Sequence, residues 1–450
     1  MRFNSFDEML SYHAKQQPNA LALCFDENGE NSLSYSLLTD RISDLEKKLR
    51  MKKKSCLGVL TDGSLDCILH IFAAVKAGMQ VVLLDENYPE TLLRELIRYT
   101  DVDMLWGDET LCQELQGALT AGVSDGGGKI LFFTSGTTEQ ARAVVLTQES
   151  LCASAFNGGS MLPLTPKDRL LCILPLCHVF GFVCGLLWGL SCGATVALGR
   201  GARHYHEDCD FFRPTAVSVV PMLLSFLLEH HLFNPELSLV LVGAGDCKKE
   251  LLETVRTLGI SVSFGYGLTE TSSGVAISRN SDDPFAMEIC PDDKITLSDD
   301  KEILIESKSC MMQGYYKQPK ETADVLKDGI LYTGDLGYFD QDGRLHITGR
   351  KKEILVLSDG TKIFIPEYEN SLARVLGHTE LALTLCDDKL VLVYVGEENP
   401  DEIMHRIRPI NDEKPRGQQI STVFVTATPL PRTATGKIKR WELLQSIEDK

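Results

Sequence analysis

One stretch carries the strongest signal in this 450-residue chain: Leu131-Phe132-Phe133-Thr134-Ser135-Gly136-Thr137-Thr138. Its apolar half predicts a buried strand, and its second half predicts a turn of hydroxyl residues around Gly136. Such a turn points backbone N–H groups and hydroxyl groups at one place, which is how proteins hold phosphate oxygens. Arg142 follows closely and would neutralise phosphate charge. The sequence has no Walker-type G-x-x-x-x-G-K-[ST] loop, and a Ser/Thr-rich surface turn is the plain alternative.

On both sides of this stretch, apolar β-rich runs alternate with helical patterns as far as about Pro284. The alternation indicates parallel sheets with helical crossovers. Two of the helices are predicted at Ser64–Ala77 and Lys249–Leu258. The predicted strands are Cys56–Leu60, Val81–Leu84, Ile130–Thr134, Leu170–Leu174, Ala194–Leu198, Ala216–Val220, Leu239–Val242 and Ser261–Gly265.

Beyond Pro284 the pattern changes to shorter strands and tight turns, such as Lys301–Ser307 and Arg344–Thr348. The charged segment Gly349–Glu353 then precedes a short region of α+β character. The sequence therefore predicts an α/β protein with two domains. Residues 1–349 would form a large N-terminal domain with parallel sheets, helical crossovers and a β-rich subdomain, and residues 350–450 a small, mobile α+β C-terminal domain.

Composition excludes several classes of protein. The 63 acidic residues exceed the 45 Lys and Arg residues, and the net charge of −18 argues against nucleic acid as a partner. The 14 cysteines show no C-x-x-C pair, which indicates reduced thiols and a cytoplasmic protein. Residues 170–199 contain no Asp, Glu, Lys or Arg, but Pro175 and His178 interrupt the run, so we expect no transmembrane segment.

Three further segments combine glycine with residue types that bind ligands. In Gly265-Tyr266-Gly267-Leu268-Thr269-Glu270 the glycines would let the Tyr266 ring lie against a planar ligand, and Glu270 could hold a divalent cation. In Tyr332-Thr333-Gly334-Asp335 a carboxylate on a turn could accept hydrogen bonds from sugar hydroxyls. Near the C-terminus, Thr435-Gly436-Lys437 presents one lysine. Each segment alone also fits an ordinary turn.

Together, and in this order, the motifs resemble the adenylate-forming superfamily, which includes acyl-CoA synthetases, aryl-CoA ligases, adenylation domains and luciferase. The resemblance runs from about Ser34 to Trp441 and rests on Thr134–Thr138, Tyr266–Glu270, Tyr332–Asp335, Gly349-Arg350 and Gly436-Lys437. It implies an acid–thiol ligase that uses ATP and Mg²⁺ to convert a carboxylic acid to an acyl-adenylate. The acyl group would then pass to CoA or to a phosphopantetheine carrier protein.

The resemblance also implies roles for individual residues. Thr134, Ser135, Gly136, Thr137, Thr138 and Arg142 would bind the phosphates, with Thr137 also near the metal ion. Tyr266 and Gly267 would contact adenine opposite Gly243, Ala244 and Gly245. Asp335 and Arg350 would hold the ribose, Thr269 the α-phosphate and Glu270 the Mg²⁺ ion. Lys437 would bridge the substrate carboxylate and the α-phosphate, and Lys352 would be the hinge that moves it.

For the acyl group, the resemblance implies that His178 gates the pocket or holds the carboxylate, that Val219, Pro221 and Met222 form an apolar wall, and that Gly360 lines the thiol path. We expect the substrate to be a fatty acid or another apolar acid, with an aryl acid as the second choice. The alternative within the same class is an enzyme that loads an aryl or acyl group onto a carrier protein. Glu139 and Arg142 replace the glycine and lysine usual in the family's phosphate loop. A catalytically weak ATP-binding scaffold is therefore the alternative from another class.

Overall fold

The computed structural model describes residues 1–25, 32–122, 126–134, 142–245, 247–279, 282–356, 362–386, 389–432, 438, 440 and 443. Strands and helices are numbered along the chain. Within these residues no helix is both long enough and apolar enough to cross a lipid bilayer.

In this part of the chain, fourteen strands form the largest sheet. They are β1 (Leu21–Cys24), β2 (Ser32–Ser34), β8 (Arg169–Cys172), β9 (Thr195–Leu198), β10 (Ala216–Val219), β11 (Leu239–Val242), β12 (Ser261–Leu268), β13 (Ser273–Ser278), β14 (Met287–Ile289), β15 (Asp293–Leu297), β16 (Glu302–Ser307), β18 (Leu326–Lys327), β19 (Ile330–Phe339) and β20 (Leu345–Arg350). Their main order is β15-β16-β19-β20-β14-β13-β12-β11-β10-β8-β9-β1-β2, with β18 paired to β19. The strands from β1 through β9, β8, β10 and β11 to β12 pair in parallel, whereas those from β12 to β15 pair antiparallel.

A second sheet contains β3 (Cys56–Thr61), β4 (Gln80–Asp85), β5 (Met104–Trp106), β6 (Ile130–Phe133), β7 (Ala143–Leu146) and β17 (Gly314–Tyr315), in the order β17-β7-β6-β4-β3-β5. The four strands β3 to β6 are parallel, and β7 returns antiparallel to β6. Strand β17 comes from far along the chain and pairs with β7.

The helices are α1 (Phe6–Gln16), α2 (Tyr35–Met51), α3 (Leu65–Lys76), α4 (Glu90–Tyr99), α5 (Glu109–Leu115), α6 (Gln148–Met161), α7 (Trp188–Ser191), α8 (Tyr205–Phe212), α9 (Pro221–Glu229), α10 (Lys249–Thr257), α11 (Pro319–Val325), α12 (Ile365–Leu376) and α13 (Pro400–Asp412). Helix α3 shows how local sequence sets a boundary: the Ser64 hydroxyl accepts a hydrogen bond from the Cys67 N–H group and caps the helix. Most of its side chains are buried, because it packs as a crossover within the N-terminal core.

The C-terminal part contains the hairpin β21 (Ile354–Val356) and β22 (Lys362–Phe364), and a sheet of β23 (Leu381–Cys386), β24 (Lys389–Val395) and β25 (Ile420–Thr426). Helices α12 and α13 cover this sheet. Their apolar residues join one hydrophobic cluster whose members all come from between Leu355 and Val425. This is the α+β character that the sequence predicts, while the exact domain boundary stays a prediction.

The predicted α/β class and most predicted elements are confirmed, with differences at the ends. The strand predicted to end at Gly265 extends to Leu268, because its last residues pair with β13. The apolar stretch after Phe180 forms a π-helix from Gly181 to Leu187 and then continues as α7. Hydrophobic spacing predicts a helix without distinguishing this wider form, which is common at functional sites.

Helix α6 is joined to β15 by a partly buried hydrogen bond between two polar side chains. The Asn157 amide donates a hydrogen bond of 3.0 Å to Asp293 Oδ2, and burial raises the pKa of Asp293 to about 6, although a hydrogen bond from Ser307 opposes the shift. The folded state therefore binds the proton more tightly than the unfolded state does. Folding stability from this group is complete below pH about 4 and is lost as the pH rises through about 6.

We expect Asp293→Asn to stabilise the protein near neutral pH by roughly 2 kcal/mol, because the amide carries no charge to bury. The gain should shrink as the pH falls towards 4, where the wild-type carboxyl is already protonated. Denaturant unfolding at several pH values measures this difference. The exposed Asp299→Asn is the matched control, and an equal gain from both variants at all pH values would contradict the assignment to Asp293.

Candidate functional site

Three predicted nucleotide-binding residues form one hydrogen-bonded group. The Tyr266 hydroxyl donates to Asp335 Oδ2 over 2.8 Å, and Arg350 Nε lies 2.9 Å from Asp335 Oδ1. The Asp335 side chain is only 3% exposed. Burial, followed by the Asp335 charge, raises the pKa of Tyr266 well above its ordinary value, so the phenol stays a donor.

Strand pairing explains why Asp335 and Arg350 meet. They stand opposite each other in the antiparallel pair β19–β20, where cross-strand side chains of opposite charge attract. The turn before Asp335 is held as well. The Thr333 hydroxyl accepts a hydrogen bond from the Asp335 N–H group, and Glu302 accepts one from the Gly334 N–H group. The carboxylate is therefore presented by a rigid frame rather than by a loose loop.

The predicted adenine wall lies at the carboxyl ends of neighbouring parallel strands, the usual place for ligands in such sheets. Gly243 follows β11, and its N–H group donates to the carbonyl of Val219 on β10. A β-carbon added at Gly243 would lie 3.4 Å from the Gly265 carbonyl oxygen and 3.1 Å from the Phe180 ring. Ala244 has a φ of 62° and thus turns the chain away from the strand before Gly245. The close approach of three segments therefore favours glycine at position 243.

The predicted phosphate turn connects β6 to β7. Its base is closed by a hydrogen bond of 3.0 Å from the Thr134 N–H group to the Arg142 carbonyl. Ser135, Gly136, Thr137, Thr138 and the two neighbours Glu139 and Ala141 lie outside the described residues. Their roles stay predictions, and the described strands on either side of them, β6 and β7, pair antiparallel.

Tyr315, which the sequence analysis did not predict as a site residue, links Glu270 to the phosphate hairpin, the antiparallel pair of β6 and β7. The Tyr315 hydroxyl donates to Glu270 Oε1 over 2.6 Å, and the Arg142 guanidinium lies 5.0 Å from the centre of the Tyr315 ring. Tyr315 reaches this position because β17 pairs with β7. Burial, then the charge of Glu270, raises the pKa of Tyr315, so its hydroxyl remains protonated.

The turn that carries Thr269 and Glu270 begins at an irregularity. The pairing of β12 with β13 shifts between Tyr266 and Gly267, and a β-carbon at Gly267 would lie 1.8 Å from the Ser273 carbonyl oxygen. Only glycine is tolerated there. The half-buried Glu270 offers the oxygen ligands that Mg²⁺ prefers, so the residue fits the predicted metal role. Thr269 is half-buried beside it, and its contact with the α-phosphate stays a prediction.

We expect Tyr315→Phe to lower the rate of adenylate formation about tenfold, because the Glu270 carboxylate loses the donor that orients it. The ring and its contact with Arg142 remain in this variant, which isolates the hydroxyl. Pyrophosphate release over a range of Mg²⁺ concentrations measures the effect. The half-rate Mg²⁺ concentration should rise, and an unchanged value would show that Tyr315 does not position Glu270.

His178 lies in the segment between β8 and the π-helix, and the structure brings it next to two other polar residues. The ligand atoms of Asp85, Cys177 and His178 all lie within 4.8 Å of one another. Burial lowers the pKa of His178, while the negative Asp85 opposes that shift. Gly181 permits the tight turn, because a β-carbon there would meet the Pro175 carbonyl oxygen at 2.3 Å.

The other predicted site residues do not form a common group with the residues described above. Val219 is fully buried in a core cluster, Pro221 begins helix α9, and Met222 is 81% exposed. Their role as an acyl wall stays a prediction. Lys352 lies in the short 3₁₀ turn Lys351–Glu353 that follows β20, which fits a hinge. Gly360 and Lys437 lie outside the described residues.

Sequence reasoning missed Tyr315, Asp85 and Glu302. Tyr315 and Asp85 act across sheets and have no local signature, and the buried Glu302 reads as an ordinary strand residue. Asp85 and Tyr315 each stand at the end of a strand, and this position is the one signal in the sequence that could have marked them as candidates.

The sequence of this chain is similar to those of known enzymes. The AMP-binding enzyme family matches residues 10–126 and 129–316. A 2-succinylbenzoate–CoA ligase from Listeria monocytogenes serotype 4b is 31% identical over 330 residues, covering 70% of this chain and 69% of its own length. One from Bacillus cytotoxicus is 26% identical over 478 residues, covering 96% and 97%.

Among solved structures, O-succinylbenzoate coenzyme A synthetase from Bacillus subtilis in complex with AMP matches with a TM-score of 0.81 at 21% identity. The match covers 97% of each chain, so the two proteins share a fold over nearly their whole length. The family match and the shared fold lead to the same assignment. The chain belongs to the AMP-binding enzyme family and has the adenylate-forming fold.

Proposed function

We propose that this protein is an acid–CoA ligase that first joins a carboxylic acid to AMP and then transfers the acyl group to the thiol of CoA. The observation that carries the proposal is the joint placement of two groups: the Tyr266–Asp335–Arg350 cluster, and Glu270 linked through Tyr315 to the base of the phosphate hairpin. A nucleotide needs both a sugar contact and a phosphate contact, and these two groups are the candidates that we assign to them.

In the first step, the carboxylate oxygen attacks the α-phosphorus of ATP, the bond to the β-phosphate breaks, and pyrophosphate leaves. Asp335 and Arg350 hold the ribose, Arg142 offsets phosphate charge, and Lys437 draws the two anions together. Mg²⁺ held by Glu270 would neutralise phosphate charge when bound. In the second step, the CoA sulfur bonds to the acyl carbon, AMP leaves with the bonding electrons, and the thiol proton passes to solvent.

For the acid, we favour an aryl carboxylate over the fatty acid that the sequence alone suggested. The two curated relatives described above are named for 2-succinylbenzoate, which contains a benzoate ring. The half-buried His178 beside Asp85 is a polar group of the kind that an acid with ring and carboxylate groups can use. CoA is the acceptor in those names, so a carrier protein is the weaker alternative.

Pyrophosphate release with ATP, Mg²⁺ and a panel of acids tests the proposal. The panel contains 2-succinylbenzoate, benzoate, a medium-chain and a long-chain fatty acid, and an amino acid. We expect release with an aryl acid, followed by CoA-dependent formation of a thioester. Release with the fatty acids alone would replace the aryl assignment. Bound ATP without pyrophosphate from any acid would instead identify a scaffold.

A further inference from the structure

The cluster of Asp85, Cys177 and His178 is not needed to explain nucleotide binding, yet its composition is unusual. Asp85 ends strand β4 of the smaller sheet, whereas Cys177 and His178 follow β8 of the larger sheet. The fold thus brings a carboxylate, a thiol and an imidazole together across the seam between two sheets. Their ligand atoms lie within 4.8 Å of one another, so small side-chain rotations would let one ion bind all three.

The charges around the cluster favour a cation. The negative charges of Asp62 and Asp85 both act on the neighbouring Glu86, so three carboxylates stand together at this edge. Among the described residues, no salt bridge involves Asp62, Asp85 or Glu86. Among the hydrogen bonds of the described residues, Asp85 Oδ1 accepts two, both of 2.9 Å, from the N–H group and the side-chain amide of Asn87.

We propose that Asp85, Cys177 and His178 form a binding site for a transition-metal ion of the zinc class, with one coordination position open. Sulfur, nitrogen and oxygen donors together are the set that Zn²⁺ and Co²⁺ accept, and three protein ligands leave a fourth position for water or substrate. Mg²⁺ and Ca²⁺ are excluded as occupants because they prefer oxygen ligands. On binding, the Cys177 sulfur bonds to the ion and its proton passes to solvent.

If the protein is the ligase proposed above, a metal ion at this site should affect binding of the acid; this expectation rests on the proposed function. An ion on His178 occupies the ring that would otherwise face the substrate carboxylate. The same ion offers its open position to an acid oxygen. Zn²⁺ should therefore change acid binding while leaving ATP binding at Tyr266 and Asp335 unaltered, because those residues contribute no ligand to the ion.

Cobalt titration of the full chain tests the site without using enzyme activity. Co²⁺ bound by a thiolate gives a sulfur-to-metal charge-transfer band, and Zn²⁺ then removes the band by displacing it. We expect a saturable band in the wild type and none in Cys177→Ser. The matched control Cys184→Ser, which changes another cysteine of the same glycine-rich stretch, should keep the band.

Asp85→Asn retains the oxygen that accepts from Asn87 and should weaken Co²⁺ binding by about 100-fold, as should His178→Asn. Thermal unfolding without metal confirms that each variant folds. A band that persists in Cys177→Ser, or affinities unchanged in both Asp85→Asn and His178→Asn, would overturn the site. Failure here would leave pyrophosphate release with the acid panel unaffected, so the two proposals fail separately.

Discussion

Replacing Lys437 with alanine should lower the rate of acyl-adenylate formation by about 10³-fold or more, while ATP binding stays nearly unchanged. The physical reason is charge. The attacking carboxylate and the α-phosphate are both anions, and their repulsion is greatest when they approach bonding distance. One ammonium group placed between them offsets this repulsion only in the transition state, so its loss affects rate rather than nucleotide affinity.

Pyrophosphate release in a single turnover and calorimetric ATP binding separate these two effects. Lys389→Ala is the matched control, because Lys389 is an exposed lysine at the start of β24 in the same C-terminal part of the chain. We expect this control to behave as the wild type does. Equal rates in Lys437→Ala and the wild type would remove Lys437 from the mechanism, and equal losses in both variants would indicate a nonspecific effect of charge.

Asp335→Ala should weaken ATP binding by about 100-fold, because two charge-assisted hydrogen bonds to the ribose hydroxyls are lost. In the structure the Asp335 carboxylate also interacts with two protein side chains. It accepts from Tyr266 and pairs with Arg350, and it is almost completely buried. A ribose that reaches Asp335 therefore has to share or replace these contacts. Removing the carboxylate also leaves the Arg350 guanidinium and the Tyr266 hydroxyl without this partner.

Comparison of ATP with 2′-deoxy-ATP distinguishes ribose recognition from a general structural effect. The wild type should bind ATP more tightly than the deoxy form, whereas Asp335→Ala should bind both equally. Asp342→Ala is the control, since Asp342 is an exposed turn carboxylate whose side chain is 74% accessible. Preserved discrimination in Asp335→Ala would assign the ribose contact to another residue.

Local sequence was sufficient for most of the predicted elements, and it singled out Tyr266, Asp335 and Arg350, which the fold brings together. Strands, helices and turns follow from hydrophobic spacing and from residues such as Ser64 that bond to their own neighbourhood. The class of fold follows from the alternation of strands and helices. The motifs around Tyr266, Asp335 and Arg350 could each be recognised from a few adjacent letters, together with the order in which they occur.

Contacts between distant segments could not be derived in this way. Tyr266 and Asp335 are 69 residues apart, and Tyr315 and Glu270 are 45 apart, so each pair depends on strand order and register. The meeting of Asp85 with His178 depends on how two sheets lie against each other. Turn and helix signals are short-range, because they arise from one backbone segment and its own side chains. Packing between sheets is a property of the whole chain, and only the folded molecule reveals which polar groups it brings together.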